Sequence, residues 1–524
     1  MKKKAGIYGL LGALAYALLL LALVAAERTV PDASIRTLGD AAWFSLVTLT
    51  TVGYGDLSPV SPLGRVIGLV FVLLSVGVLA AVFGAAVSFL RGWLLPRLRL
   101  GRLGRQRCFF FSGINEASAA LAADLLRREP AGRVVFCGAE RPESPLSLPT
   151  GRRVSFFRQD VVEALRAAAK NGGGHAVFLL GENAAENCAK AEALRGLSDE
   201  IHCRGPETAG LPGVRFVDDA ECAARAYWQA HPLEDGEETL LLIGDGPLAW
   251  ALLDQAVLVN CRYPFRAAAY HLFGGWEEYR RFHPALTEAL APESKEKGRD
   301  ALIFHRDPWN ADPDLLEKAD RIIFCGADQE QNAEDAGRLI RYFALSGRVY
   351  AAAAAAAPPA VGFGSPREVF TEEIVIRSAL DARARALHAS YCRRTGCAQP
   401  WEALSPFLKA SNRAAADHLL TKARLLVPGT PAERGADALF GEACAKWRQA
   451  PDKEPFRRNE NERWRRFSLL YNWKWGPEKS EIRRTHPLLV PFDELSEADR
   501  EKDDAAWLQL GDVRAHDGQK EETP

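Results

Sequence analysis

Charge vanishes from this chain twice. Residues 5–26 and 66–90 contain no Asp, Glu, Lys or Arg, and at about 1.5 Å per residue a helix of either length crosses a hydrocarbon layer of roughly 30 Å. Two membrane spans are predicted, over 5–26 and 64–92. Between them the apolar stretch 41–49 predicts a short helix over 40–50 that enters and leaves the layer from one side. From residue 107 the pattern changes to short apolar runs at 107–111, 134–138, 154–158, 175–180 and 200–203, separated by a helix that opens over 113–118 and runs to 128 and by helical stretches such as 161–170 and 184–195. It then restarts with runs at 240–243, 301–305, 321–325 and 348–352. Strand alternating with helix means a parallel, doubly wound α/β sheet, here twice, over 106–235 and 238–370. Pro358-Pro359 and residues 362–366 read as a linker by composition. Beyond it, 385–510 reads as a mainly α-helical domain, and the polar stretch 511–524 as a disordered tail. The fold class is multidomain: a two-span helical membrane region (1–100), two Rossmann-like α/β units and a helical C-terminal domain.

Charge then orients the spans. Lys2, Lys3 and Lys4 precede the first, and Arg91, Arg97, Arg99, Arg102, Arg105 and Arg107 follow the second, whereas Glu27, Asp32, Asp40 and Asp56 lie between them. Both termini are therefore expected in the cytoplasm. The lysines and the apolar run ending at Ala25 and Ala26 also fit a cleaved signal peptide, but the second span argues against it. A net charge of -1 provides no basic field for nucleic acid. The ten cysteines are scattered, without a zinc-site spacing, as buried thiols of a reducing compartment are. A single Met in an Ala- and Arg-rich chain points to a GC-rich, bacterial coding background and a cell inner membrane.

The short apolar helix runs straight into Thr50-Thr51-Val52-Gly53-Tyr54-Gly55-Asp56. Residues 51–55 resemble the potassium-channel selectivity filter, and the stretch from Leu10 to Leu90 resembles the two-span potassium channel family. A filter replaces an ion's hydration shell with backbone carbonyls, which needs backbone angles that Gly53 and Gly55 adopt cheaply. The resemblance implies K+ at the carbonyls of 51–55, the Thr51 hydroxyl at the inner end, Val52 and Tyr54 packed outward, and a homotetramer around the pore. Gly77 is the hinge candidate in the inner span, with Gly84 a further glycine there, and Ala80 and Phe83 could line the inner mouth. Glycine in a membrane helix is more often a packing contact. No helix with regularly spaced arginines exists to sense voltage.

Two Rossmann-like units directly behind an inner pore helix resemble the tandem RCK (regulator of potassium conductance) arrangement, which implies a gating ring whose expansion pulls on the inner helices. A dinucleotide fingerprint needs small residues at the first turn and an acid after the second strand. The first unit has Gly113 and a suitably placed Glu140, but Asn115 and Ser118 stand where glycines are needed. The second has Gly244, Gly246 and Ala249, but no acid closes the run 265–273. A phosphate-bearing ligand at the helix near Pro247 is compatible with this pattern. Asp218, Asp219 and Glu221 are candidate Ca2+ ligands, although such acid clusters usually lie on a solvated face.

The C-terminal domain repeats itself. Leu404-Ser405, Lys409, Asn412 and Ala414-Ala415 recur at Leu495-Ser496, Arg500, Asp503 and Ala505-Ala506, each Ser a natural helix N-cap. Together with Glu462-Arg463-Trp464, Trp473-Lys474-Trp475-Gly476 and His486-Pro487-Leu488-Leu489-Val490-Pro491-Phe492, these residues resemble the ryanodine receptor (RyR) repeat. That resemblance implies a small ligand- or protein-contact module, in some members associated with adenine nucleotides. Trp464, Tyr471, Trp473 and Trp475, beside His486, could box a base, with Arg413, Arg463 or Arg484 for phosphate; aromatics this dense are more often core. The expected partners are membrane lipid, a second, third and fourth copy, and a small cytosolic ligand, an adenine nucleotide or Ca2+, with a protein partner at the RyR-like domain as the other reading. A membrane-anchored NAD-dependent oxidoreductase is the remote alternative, for which no proton donor is evident.

Overall fold

The computed structural model describes residues 2–90, 94–103, 107–138, 148, 151–168, 174–207, 211–293, 298–343, 345, 347–430 and 435–517. The chain divides into two compact units, Met1–Arg102 and Leu103–Pro524.

In the first unit an outer helix, Lys2–Glu27, a pore helix, Leu38–Leu49, and an inner helix, Pro62–Phe89, share one small core. Thr37 and Asp40 start the pore helix with a reciprocal capping box, and Ser61 caps the inner helix ahead of Pro62. Tyr16 and Phe44 meet Phe71 edge-on at 6.1 and 6.3 Å, which wedges all three helices together. Gly68 is a packing contact, since a Cβ there would lie 3.1 Å from Pro59. The inner helix runs unbroken through Gly77 and Gly84, neither of which has an atom within 4 Å of where a Cβ would stand. Among the described residues no helix is long and apolar enough to cross a membrane; side chains at 2–13 and at 75, 78, 79, 81 and 82 fall outside them. The case for two spans therefore stays with the charge-free sequence.

In the second unit, β1 (Cys108–Phe111), β2 (Arg133–Cys137), β3 (Val154–Phe157), β4 (His175–Leu179), β5 (Glu200–Arg204) and β6 (Val214–Val217) form one parallel sheet in the order β3-β2-β1-β4-β5-β6. A second sheet repeats that topology: β7 (Thr239–Ile243), β8 (Ala269–Phe273), β9 (Ala301–His305), β10 (Arg321–Phe324), β11 (Arg348–Ala352) and β12 (Val361–Phe363), ordered β12-β11-β10-β7-β8-β9. Both are the doubly wound order in which ligands enter at the switch point, here between β1 and β4 and between β7 and β10. Strands β6 and β12 were not legible in the sequence, because both are short edge strands of mixed burial.

The expected linker is not one. Residues 361–363 pair with β11, and the chain then returns to the first sheet, where Val369, Phe370 and Val375 complete the core built by Phe109, Leu121 and Leu125. The Glu372 amide donates to Asp124 at 2.8 Å, and Arg128 pairs with Glu373 at 2.8 Å. Proline and glycine here make a tight return rather than a flexible joint. The two sheets are joined by helices Asp219–Ala230 and Pro247–Val259, whose Ala224, Tyr227, Trp228, Leu252 and Ala256 share one core; Trp228 also donates to the Leu252 carbonyl at 3.0 Å.

The C-terminal helices pack around Trp447 and Trp507, stacked at 5.5 Å, with Leu419, Phe440 and Leu510. The sequence repeat is visible locally: short 3-10 turns at Trp401–Ala403 and Phe492–Glu494 each lead to a serine that caps the next helix, Ser405 on the Leu408 amide and Ser496 on the Asp499 amide. Helix Asp504–Asp517 continues through half of the stretch expected to be a disordered tail, because Leu510 and Val513 are buried in this core; residues 518–524 lie outside those described. The C-terminal helices also grip the second sheet. His418 and Asn459 both bond the Cys261 carbonyl, at 2.9 and 3.0 Å, and Arg466 pairs with Asp300.

Candidate functional site

The pore helix ends in a hydrogen-bonded turn that hands the chain to the filter segment. The Val47 carbonyl accepts from the amides of both Val52 and Gly53, at 3.0 and 3.2 Å, and the Thr50 hydroxyl donates to the Leu46 carbonyl at 2.7 Å. Thr51, Gly53 and Gly55 have φ of 59°, 58° and 73°, while Val52 and Tyr54 between them do not have positive φ. Left-handed residues at every second position turn successive peptide planes the same way, which is what a row of carbonyls facing one axis requires. A β-branched residue in the left-handed region is strained by about 1–3 kcal/mol, so Thr51 is held there by its neighbours. Behind the segment, Trp43 of the pore helix stacks on Tyr54 at 6.3 Å and 5°, and its indole N–H donates to Asp56 at 2.8 Å. Trp43 is not among the candidate residues expected from the sequence; its spacing from Asp56 was the available signal. Glu27, fully buried at the end of the outer helix, accepts from the Val60 and Ser61 amides and the Ser61 hydroxyl at 2.6–3.0 Å. Gly64 makes that possible, since a Cβ there would lie 2.0 Å from the Glu27 carboxylate. In the single chain Gly77, Ala80, Phe83 and Gly84 are all exposed.

At the first switch point Asn115 and Ser118 close the site that glycines would open. Asn115 accepts from the Ser118 amide and Ser118 Oγ accepts from the Asn115 amide, both at 2.9 Å, while Asn115 Nδ2 reaches across to the Leu180 carbonyl at 2.6 Å. That helix N-terminus is satisfied by its own side chains. Gly113 has open space around it, and Glu140 lies outside the described residues. In the second unit Gly244 is demanded by the fold, because a Cβ would stand 2.3 Å from the Gly326 amide where β7 meets β10. Gly246 (φ 93°) precedes helix Pro247–Val259, which has no side-chain cap, and Ala249 is fully buried. The ends of both sheets face one cavity of about 770 Å³ that holds Asn115, Arg204 and Pro247 together with Asp218, Asp219 and Asp245. Carboxylates thus surround the uncapped helix start, which works against a phosphate there.

The Ca2+ candidates do not converge. Asp218 caps its helix by accepting from the Glu221 amide at 3.1 Å, Asp219 pairs with Arg204 at 2.7 Å, and Glu221 approaches Arg413 at 3.6 Å. Among the described residues no group of three or more acids, histidines or cysteines is placed to hold a metal. The Asp219 side chain is exposed, whereas Asp218 and Glu221 line a cavity, and burial pushes both of those carboxyls up.

The C-terminal candidates are dispersed. Trp473 is buried and stacks on Phe407 at 5.5 Å, which also meets Phe467 and Tyr471; Trp464 packs edge-on against His486 at 5.0 Å; Trp475 is 60% exposed. Arg463 is buried against Glu460 at 2.7 Å, and Arg413 is held by both oxygens of Asp381 at 2.7–2.9 Å. Of the three, Arg484 has no carboxylate partner among the described residues, and it lines a cavity with Trp473 and Tyr471. A buried network adds to this: Arg225 bonds Asp417 and Asp381, both at 2.7 Å, and the Leu380 carbonyl at 2.6 Å. Burial by itself would raise Asp381, but Arg413 and Arg225 hold its carboxyl down to about 2.

Comparison with known proteins now bears on the first unit. Residues 7–92 match a family model described as an ion channel. The chain is 44% identical over 54 residues to a voltage-gated potassium channel of Aeropyrum pernix, a match covering 10% of this chain and 18% of the other. It is 36% identical over 80 residues to the calcium-gated potassium channel TvoK of Thermoplasma volcanium, covering 14% and 23%. The chain thus spans less than a quarter of the length of these relatives. The GsuK structure bound to ADP aligns with 71% of this chain and 99% of its own at 15% identity, with a TM-score of 0.35, a likeness too distant to argue from. The matched family and relatives are membrane ion channels, not enzymes.

Proposed function

We propose that this chain is one subunit of a homotetrameric, potassium-selective channel in a cell membrane, with both termini cytoplasmic. The observation that carries the reading is the alternation of left-handed residues at Thr51, Gly53 and Gly55, directly after a pore helix, inside the stretch that matches ion channels. Thr51, Val52, Gly53, Tyr54, Gly55 and Asp56 form the filter, with K+ as the permeant ion. One chain supplies one quarter of each carbonyl ring, so four copies surround the axis. Gly77, Ala80, Phe83 and Gly84 of the inner helix line the gate. The two Rossmann-like units act as RCK domains of a gating ring, and the C-terminal RyR-like module packs on that ring. A cytosolic ligand that prefers the open ring by about ten thousand-fold over all its sites would move the gate from closed to open. The test is potassium against sodium flux into liposomes holding the purified full chain. K+-selective flux abolished by Gly53→Asp is expected; equal Na+ and K+ flux overturns the reading.

In a second reading the same pore serves a protein partner docked on the C-terminal module. Trp475, 60% exposed, and Ile482, 97% exposed, favour it, since Trp475 belongs to one short ribbon, Lys474–Trp475 with Thr485–His486, and Ile482 to the loop that joins its strands. Flux indifferent to every small ligand, together with a partner whose binding is lost in Ile482→Lys, would support this reading.

A further inference from the structure

Helix Ala382–Thr395 ends on Gly396, which is left-handed at φ 72° and donates its amide to the Cys392 carbonyl at 2.9 Å. A chain that reverses in this way brings the residue after the glycine back over the last turn, against the residue whose carbonyl is capped. Both of those residues are cysteines here, 397 and 392. Both are free and partly exposed, whereas six of the ten cysteines are buried. The Cys397 thiol is a hydrogen-bonding neighbour of Cys392. One helical turn earlier, the buried His388 donates from Nε2–H to the Gln399 carbonyl at 2.8 Å, and the same nitrogen lies 3.5 Å from Cys392 Sγ. Cys392 Sγ is itself 3.8 Å from that carbonyl.

Two neighbouring thiols that solvent reaches make a redox pair, because a sulfenic acid formed on one is captured by the other before it oxidises further. Accessibility sets this pair apart from Cys188 and Cys203, which are also neighbours but with Cys203 buried in β5. The reacting species is a thiolate. The negative end of the helix works against one here, and the exposed Arg393 and Arg394 of its last turn supply the opposite charge. Burial and the Cys397 thiol hold the Cys392 thiol above its ordinary value, which makes Cys397 the sulfur that attacks first and Cys392, with the His388 N–H beside it, the one that follows. We propose that Cys392 and Cys397 are a modification site, which a peroxide converts to an intramolecular disulfide that pins the loop 396–400 to the end of helix Ala382–Thr395. The Cys397 thiolate attacks one oxygen of hydrogen peroxide; the O–O bond breaks, the other oxygen leaves as hydroxide and is protonated to water, and a sulfenic acid remains. The Cys392 thiolate then attacks that sulfur; the S–S bond forms, the S–O bond breaks, and the second oxygen leaves as water. Two electrons pass from the thiols to the peroxide, and both thiol protons end in the two waters. Neither cysteine belongs to the pore, so this chemistry is independent of the channel reading.

The test treats the full chain in detergent micelles with hydrogen peroxide, alkylates the remaining thiols and digests with trypsin, which cuts after Arg393 and Arg394, between the two cysteines. The peptide ending at Arg393 should then be joined to the one beginning at Thr395, two hydrogens lighter than their sum, in protein that runs as a monomer on a non-reducing denaturing gel, and dithiothreitol should separate the two. The bridge should form about tenfold faster than oxidation of the partly exposed Cys188 and Cys222, and faster at pH 8.5 than at pH 6.5, as the thiolate fraction rises. Hydrogen exchange of a peptide spanning 394–405 should slow by about tenfold when native protein is oxidised, and should not change in Cys397→Ser, which keeps the size of the side chain and removes the bridge. No joined peptide at a peroxide dose that oxidises Cys188 or Cys222, or a bridge found only between chains, would overturn the site. A bridge within the chain that leaves the exchange of native protein unchanged would overturn the pinning of the loop.

Discussion

Replacing Arg225 by methionine tests what holds the C-terminal module to the rest of the cytoplasmic unit. The guanidinium comes from the first Rossmann-like unit, is 3% exposed, and bonds Asp417 of helix Pro406–Asp417 and Asp381 of the returning chain, both at 2.7 Å. Gln229 adds a 3.1 Å bond to Asp417. In Arg225→Met the Asp417 carboxylate stays buried with that amide as its remaining side-chain donor among the described residues, while Asp381 retains Arg413. Breaking a buried pair on one side costs about 3–5 kcal/mol, because a desolvated charge loses its counterion. At about 1.4 kcal/mol per tenfold, local opening of helix Pro406–Asp417 should rise by about 140- to 3,700-fold. Hydrogen exchange of the full chain, read by mass spectrometry on peptides spanning 406–417, measures that opening. Removing both charges, in Arg225→Met with Asp417→Leu, should recover at least half of the lost protection. Protection in Arg225→Met within about threefold of the native protein would refute the reasoning, and so would a double variant no better than the single.

Acid should loosen the same contact: Arg413 and Arg225 hold Asp381 down to about 2, so its contribution is complete above its unfolded pKa near 4 and is lost as pH falls through about 2. A melting curve against pH that stays flat across this window for native protein would contradict it. Burial pushes Asp503 up to about 8 beside Glu460, Lys422 and Arg463; the folded state then holds a proton the unfolded chain has released, and stability falls as pH rises from about 4 to 8. Asp503→Asn should flatten that slope, and urea midpoints at pH 6 and pH 8.5 that differ as much as in native protein would count against it. Gly244→Ala should be far worse than Gly246→Ala, since the first drives a Cβ to 2.3 Å from the Gly326 backbone while the second has nothing within 4 Å and meets only the cost of its φ; melting temperatures of the two proteins decide. Trp43→Phe keeps the stack on Tyr54 but deletes the 2.8 Å bond to Asp56, a loss of about 1 kcal/mol behind the filter, and sustained K+ flux should decay faster than in native protein.

The linear chain already encoded the elements whose physics is local. Absence of charge over 5–26 and 66–90, glycine at 53 and 55, serine before Pro406 and Glu497, and alternating apolar runs are all properties of neighbours in sequence, and the helices, caps and strands follow from them. Tertiary structure decided everything that depends on approach between distant segments. Only folding shows that Phe370 and Val375 complete a core begun by Phe109, that Asn115 spends its amide on Leu180, and that Gly244 is small because β10 passes beside it. The same distinction governs the charged residues. Arg413, Arg463 and Arg484 are equivalent as candidate phosphate ligands, but Arg413 meets Asp381 across the fold, Arg463 is buried against Glu460 of its own helix, and Arg484 meets no carboxylate among the described residues. A charge's role is set by which opposite charge shares its low-dielectric surroundings, and no local pattern carries that information.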